Sequence, residues 1–384
     1  MHSPASRRAE NSFCHASQYM SSWYRVLLLN WRDPWHPNSG GAEHLTLRIL
    51  ERLAAQGWRI EWFSGMYSGA ASREERDKIL YVREGSGATV HVRAFLRYSK
   101  RRDFDVVIDQ INTVPFFTPW YAARSIAWFQ QLAREVWFYE GGRIGVAGYI
   151  AEPFYLRPYR CTPIVTISRS SARSLRQIGL RGRIRIIPMA VDDPADTVVP
   201  PKKEPRDLLV IGRLTPSKRV DESIKAAALL RARGWGGQLH IVGSGPLRYR
   251  VQLEALVKKL NIGKAVIFRG RIDDSERRCL MRSASVLWMT SVREGWGLVV
   301  TEAARHGTPA VVYDVPGLCD SVVHGETGLV VPPAPATLAA ATLTLFKHFD
   351  RFAGQALIRA TPLNWDSTAL EFANAVTQDV SPKR

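Results

Sequence analysis

Residues 24–65 read YRVLLLNWRDPWHPNSGGAEHLTLRILERLAAQGWRIEWFSG, and the punctuation of this stretch decides the fold. Tyr24–Asn30 is an apolar run of strand length. A Pro/Gly loop follows, and after it Leu45, Leu47, Ile49, Leu50 and Leu53 alternate with charged residues in the manner of a helix. RIEWFSG then supplies a second strand and completes a βαβ unit. Further short strands are expected at TVHVRA, DVVIDQI, SIAWF, PIVTIS and RIRIIPM. Between the last two, SRSSARSLRQIGL reads as a helix capped by Ser168 or Ser170 and stopped by Gly179.

Residues 192–206 break this rhythm with four prolines among alternating charges, the composition of a linker. The rhythm then restarts. LLVIGRL, QLHIVGSG, AVIFRG, SVLWMT and PAVVYD read as strands, and VDESIKAAALLRARG, LRYRVQLEALVKKL and GLVVTEAARHG as helices between them. The expected fold class is α/β, with two doubly wound parallel sheets in Rossmann-like domains at 23–191 and 207–364. Ligands belong at the carboxyl ends of the strands, in the crevice between the domains.

Bulk properties bound the function. With 384 residues, 46% apolar and 23% charged, the chain has the balance of a soluble two-domain protein. The first 22 residues lack the apolar core of a signal peptide and read as a disordered leader. Cys14, Cys161, Cys279 and Cys319 form no close pair and no metal-ligand spacing, which points to reduced thiols in the cytoplasm. The net charge of +18 divides evenly at residue 200, nine excess positive charges in each part, so no basic tail for nucleic acid is expected.

The chemistry concentrates in SVREGWGLVVTEAA, residues 291–304. Glu294 follows a strand, and Gly295 and Gly297 flank Trp296, so a ligand can approach the backbone closely. A helix starts near Leu298, where free N–H groups suit a phosphate. Glu302, eight residues after Glu294, stands on its first turns. Two carboxylates so placed can grip hydroxyls at the two ends of a ligand whose diphosphate lies between them. After the strand LLVI, Gly212 keeps the turn open and Arg213 and Lys218 follow, two cations suited to a pyrophosphate leaving group.

GRLTPSKRVDESIKA, IVGSGP, IFRGRI, EGWGLVVTEAARHGTPAVVYDVPG and GETGLVVPP together resemble the family 4 glycosyltransferases of GT-B architecture. NSGGAEH, DVVIDQINTVPFFTP, QQLAREVWFYE and RCTPIVTISRSSARSLRQIGL extend the resemblance from about Tyr24 to about Pro333. It implies retaining transfer of a hexosyl unit from a UDP- or GDP-linked sugar to a glycan, lipid or small-molecule acceptor in cell-envelope glycoconjugate synthesis. No metal or other cofactor is implied, the nucleotide sugar being a co-substrate.

The resemblance also implies roles. Arg213 and Lys218 bind the donor diphosphate, Glu302 the ribose, and Glu294 with the backbone at Gly295, Trp296 and Gly297 the donor sugar. Gly40 and Gly41 approach the phosphates from the first domain, and Arg271 and Ile272 fall where the base is held. A helix from about 365 to 378 crosses back to the first domain. One departure stands out. Many relatives carry a histidine after the strand preceding LAREVW, and here Gln130 holds that place, with Gln131 next. An amide hydrogen-bonds a sugar hydroxyl but accepts no proton near neutral pH.

Asp109 and Arg134 are candidate acceptor contacts, the latter alternatively paired with Glu135. His36 is a lesser candidate, and His306 reads as a helix cap. Arg93, Arg97, Lys100, Arg101 and Arg102, interleaved with Val92, Phe95, Leu96 and Tyr98, form a basic amphipathic element that suits an anionic membrane surface. A sugar-nucleotide epimerase of the same architecture, a non-catalytic sugar-nucleotide binder and a nucleic-acid-binding protein remain alternatives; the even spread of charge argues against the last.

Overall fold

A computed structural model describes residues 24–187, 189–192 and 206–380. The expected leader and nearly all of the expected linker lie outside those residues. The first sheet holds eight strands: β1 (Arg25–Leu29), β2 (Arg59–Ser64), β3 (Arg73–Arg76), β4 (Ile79–Arg83), β5 (Val106–Gln110), β6 (Ser125–Phe129), β7 (Ile164–Thr166) and β8 (Ile184–Ile186). Their order is β3-β4-β2-β1-β5-β6-β7-β8, parallel throughout except for the β3–β4 pair. The second sheet holds β9 (Leu208–Ile211), β10 (Leu239–Val242), β11 (Val266–Gly270), β12 (Val286–Met289), β13 (Ala310–Tyr313) and β14 (Gly328–Val331), all parallel, ordered β11-β10-β9-β12-β13-β14. The winding reverses between β1 and β5 in one sheet and between β9 and β12 in the other. Those reversals open the crevices in which doubly wound sheets bind ligands.

The central strands are apolar because both faces are covered. Along β1, Val26 and Leu28 enter one core with the helix Gly41–Ala55, while Leu27 and Leu29 enter the opposite one with Phe63, Ala94 and Tyr98. The last helix, Trp365–Val380, follows the second domain in sequence but packs on the first: Trp365, Ala369, Phe372, Ala375 and Val376 complete the core around Val26 and Trp128. The Phe372 and Trp128 rings lie 4.5 Å apart.

Two expectations need correction. TVHVRA is part of a helix, Thr89–Tyr98, not a strand. Its buried positions are Val90, Ala94 and Tyr98, four apart, so the helical period places them on one face while Val92 and Phe95 stay exposed. The β3–β4 hairpin was not anticipated. β3 is REER, with no apolar residue, and its turn uses Asp77 and Lys78 at φ 51° and 63° where Asn-Gly is the usual signal. The helix in SRSSARSLRQIGL does begin where expected, at Arg169, with Ser168 Oγ accepting from the Ser171 N–H at 3.1 Å.

Candidate active site

The loops after β9 and β12 meet at the second sheet's reversal. Val292 N–H donates to the Ser217 carbonyl at 2.9 Å and Thr290 Oγ1 to the Lys218 carbonyl at 2.9 Å, which holds the two loops together. Lys218 ends a short turn, Pro216–Lys218, and its Nζ touches Glu294 Oε1 directly. Ser291 Oγ donates to the same oxygen at 2.7 Å. Lys218 and Glu294, two of the four charged residues singled out in the sequence, are thus one ion pair, half-buried. Arg213, on the same loop as Lys218, is exposed.

The Glu294 backbone is confined from behind. Its N–H donates to the Pro316 carbonyl at 2.9 Å, and a Cβ on Gly317 (φ 87°) would lie 2.0 Å from its carbonyl oxygen. Only glycine fits there. Trp296 Nε1 donates to Thr301 Oγ1 at 2.8 Å, and Gly297, at φ 89°, starts the helix Leu298–Arg305. Glu302 on this helix pairs with Arg277 at 2.8 Å. Burial raises its pKa above the usual carboxylate value, and Arg277 opposes that rise. Arg271 is exposed and Ile272 half-buried just past β11, two strands and about 10 Å from β9.

The first domain faces this site with the loop after β1. Gly40 caps the helix Gly41–Ala55, and a Cβ on Gly41 would meet Leu298 Cδ1 at 3.5 Å, so the glycine loop lies against the start of the second domain's helix. The loop is held by Glu43, fully buried: Oε2 accepts from the Gly40 N–H at 2.7 Å, and Oε1 from Asn112 at 3.2 Å and Arg32 at 3.1 Å. Asn112 also donates to Asn30, Asn30 to Gln110, and Gln110 to Thr46, at 2.8–3.1 Å.

Gln130, at the end of β6, is 8% exposed. Both polar atoms of its amide are buried without a hydrogen-bond partner among the described residues. Its backbone carbonyl oxygen lies 2.8 Å from where a Gly295 Cβ would be, so the loop carrying Glu294 rests on the end of β6. Other contacts join the halves here. Arg293 reaches Glu135 at 2.7 Å and Ser174 at 3.3 Å, the Gly317 N–H donates to Ser170 Oγ at 2.7 Å, and Ser217 Oγ contacts Glu140.

Several candidates stand elsewhere than expected. Asp109 is fully buried and accepts from Phe116 N–H, Thr118 Oγ1 and Tyr159 OH; it anchors the segment after β5 and offers nothing to an acceptor. Burial pushes its carboxyl up to about 6, against those hydrogen bonds. Arg134 and Glu135 do not pair with each other: Arg134 donates to the Tyr149 carbonyl at 3.1 Å and stacks on that ring, while Glu135 holds Arg293. His36 turns inward, its Nδ1 accepting from Asn38 N–H at 3.0 Å beside Trp31 and Tyr67. Burial and the nearby Arg32 lower its pKa. His306 is buried at its helix C-cap.

Sequence reasoning missed Arg32, Glu43, Asn30, Gln110, Asn112, Arg293 and Gly317. One signal was available: in GGAE the acid is the third helical residue after Gly40, the spacing at which a glutamate reaches back to the cap N–H. The remainder is long-range geometry with no local mark.

The model described as glycosyltransferase family 4 matches residues 39–193, and that described as glycosyl transferases group 1 matches residues 193–350. The glycogen synthase of Mycobacterium tuberculosis is 35% identical over 161 residues, 42% of this chain and 38% of that enzyme, so the match spans well under half of the relative. Among solved structures, sucrose-phosphate synthase from Thermosynechococcus elongatus shares the fold at a TM-score of 0.76 and 22% identity, over 92% of this chain and 98% of that one. Anabaena HepE in complex with UDP-glucose does so at a TM-score of 0.70 and 16% identity, over 92% and 100%. With two successive family models spanning both domains and this two-sheet fold, the chain belongs to the family 4 glycosyltransferases of GT-B architecture.

Proposed function

We propose that the protein transfers a hexosyl unit from a UDP- or GDP-linked sugar to a glycan, lipid or small-molecule acceptor, with retention at the anomeric carbon and without a metal. The observation that carries this reading is the Lys218–Glu294 pair at the β9/β12 reversal, beside Arg213 and opposite the Gly40 loop. In it, Arg213 and Lys218 hold the diphosphate, Glu294 and the Gly295–Gly297 backbone the sugar, and Glu302 the ribose. Gly40 and Gly41 close from the first domain, and Arg271 and Ile272 flank the base. The bond from the anomeric carbon to the diphosphate breaks as the acceptor oxygen bonds on the same face, and the acceptor proton passes to the departing phosphate oxygen. Gln130, with an amide free to hydrogen-bond, orients a sugar hydroxyl and takes no proton.

A panel of UDP- and GDP-sugars is the direct test. The true donor raises the melting temperature, with the logarithm of its concentration over Kd once it exceeds Kd, and is slowly hydrolysed without acceptor. If no nucleotide sugar stabilises the protein, the reading fails; isomerised sugar nucleotide without an acceptor identifies an epimerase instead.

An apolar surface supports a cytoplasmic enzyme docked on an anionic membrane. The helix Thr89–Tyr98 exposes Val92, Phe95 and Leu96, and the helix Gly145–Tyr155 exposes Val146, Ile150 and Phe154. The segment between β5 and β6 links them, through Tyr121 against Phe95 and the Thr113 carbonyl accepting from Tyr155. Arg93, Lys100 and Arg102 are exposed beside it, whereas Arg97 and Arg101 are engaged by Glu84 and Asp103. Among the described residues no helix is long and apolar enough to cross a membrane. Co-sedimentation with phosphatidylserine vesicles, lost with Leu96→Glu or in neutral vesicles, tests the docking.

A further inference from the structure

Resting on the donor reading above, we propose that Arg32 is a second diphosphate-binding arginine, supplied by the first domain, which holds the same anion as Arg213 across the cleft. Arg32 stands in the loop after β1, at the first sheet's reversal, on the loop whose Gly41 lies against Leu298 of the other domain. Its guanidinium is held in place: it donates to the Asn38 carbonyl at 2.6 Å, pairs with Glu43 at 3.1 Å and lies 4.2 Å from the Trp31 ring centroid.

That support leaves its charge incompletely answered. Glu43 also serves the Gly40 N–H and Asn112, and Arg32 Nε is buried without a partner among the described residues. Across the cleft, Arg213 is exposed and its side chain forms no ion pair or hydrogen bond with the described residues. Burial lowers the pKa of Arg32 most, Glu43 opposes that fall, and the like charge of Arg213 adds to it. An oxyanion between them relieves the repulsion and gives each guanidinium the forked geometry it matches best. Arg213 and Lys218 share one loop at the second sheet's reversal, where nucleotide phosphates lie in such folds, so the anion in question is the donor diphosphate.

The test is calorimetric binding of UDP and GDP, each compared with its nucleoside, to wild type, Arg32→Met, Arg32→Lys and Arg213→Met. Arg32→Met weakens diphosphate binding about 10-fold, the loss of one charge-assisted contact, and leaves nucleoside binding unchanged. Arg32→Lys recovers part of the loss. Because Arg32→Met leaves the buried Glu43 unpaired, Arg32→Met/Glu43→Gln is measured beside it and shows the same selective loss. The proposal is overturned if Arg213→Met weakens diphosphate binding and Arg32→Met does not; the donor reading then survives. It is equally overturned if nucleoside and diphosphate affinities fall together, or if Arg32→Met raises only the KM of the acceptor. Unaltered diphosphate affinity in both single variants removes the donor reading as well.

Discussion

The two sides of the cleft carry different chemistry. On the donor side, charges are matched in pairs, Lys218 with Glu294 and Arg277 with Glu302, and Arg213 stands exposed beside them. On the other side, the ends of β1 and β5 present a chain of neutral amides, Asn30, Gln110 and Asn112, around the Arg32–Glu43 pair, and β6 ends at Gln130, whose two polar amide atoms are unpartnered among the described residues. Ion pairs can be redistributed when a charged ligand enters. Amides bind hydroxyls without any charge to neutralise. In the proposed reading, the donor-side charges together with Arg32 answer the charged leaving group, and the amides answer uncharged hydroxyls.

The largest expected effects test whether Lys218 and Glu294 divide their labour. Lys218→Ala should lower kcat/KM for transfer by about 10³-fold and weaken UDP or GDP binding, since the proposed reading has it answer the leaving group's charge. Glu294→Ala should lower transfer by about 10²-fold yet leave diphosphate affinity unchanged or tighter, because Lys218 loses its competing carboxylate. Steady-state rates with titration calorimetry read both. Parallel loss of diphosphate affinity in the two variants would break the division.

Next comes the seam between the walls. A Cβ on Gly295 would lie 2.8 Å from the Gln130 carbonyl oxygen and from Ile167 Cδ1, so Gly295→Ala must push the donor loop away from β6. A displacement of about 1 Å at reacting groups costs on the order of 10²-fold in rate. Transfer should fall by that order while diphosphate affinity, set on the donor side, changes little. A nearly wild-type rate would show that the seam can open without cost.

The same contrast explains what was legible in the sequence. Buried parallel strands announce themselves as apolar runs, and cations or carboxylates after such runs fall at strand ends by construction, so most of both sheets and the Lys218–Glu294 pair could be read directly. The amide wall could not. Asn30, Gln110 and Asn112 are ordinary polar residues at strand ends until Glu43 and Arg32 meet them in space. Asp109 shows the converse error, because a carboxylate near a strand end looks functional when depth is invisible. TVHVRA misled because six residues fit both periods, and β3 escaped because an edge strand without apolar residues has no pattern to find.

A smaller effect is expected at Gln130. Its amide can supply about one neutral hydrogen bond to a sugar hydroxyl, worth roughly 1 kcal/mol, so Gln130→Ala should slow transfer about 5- to 10-fold and spare diphosphate binding. The rate of Gln130→Ala should also keep the pH profile of wild type, because no proton is exchanged there. A lost limb in that profile would instead assign the residue a part in proton transfer and blur the two walls.

Asp109 separates structure from catalysis on the amide side. Its carboxyl, raised by burial to about 6, binds a proton more tightly in the folded than in the unfolded chain. The resulting stabilisation is therefore fully present below the ordinary Asp pKa near 4, and is lost as the pH rises through about 6. The difference amounts to roughly 3 kcal/mol across that window. Asp109→Asn keeps an acceptor for Phe116 N–H, Thr118 and Tyr159 but carries no titrating proton. Urea midpoints measured from pH 4 to 7.5 should show wild type losing stability relative to Asp109→Asn as the pH rises, with diphosphate affinity equal in the two proteins. Coincident pH dependences would mean that Asp109 stays ionised in the folded chain. The hydrogen bonds from Phe116, Thr118 and Tyr159 would then outweigh its burial, and the first domain would hold an uncompensated carboxylate beneath its neutral wall.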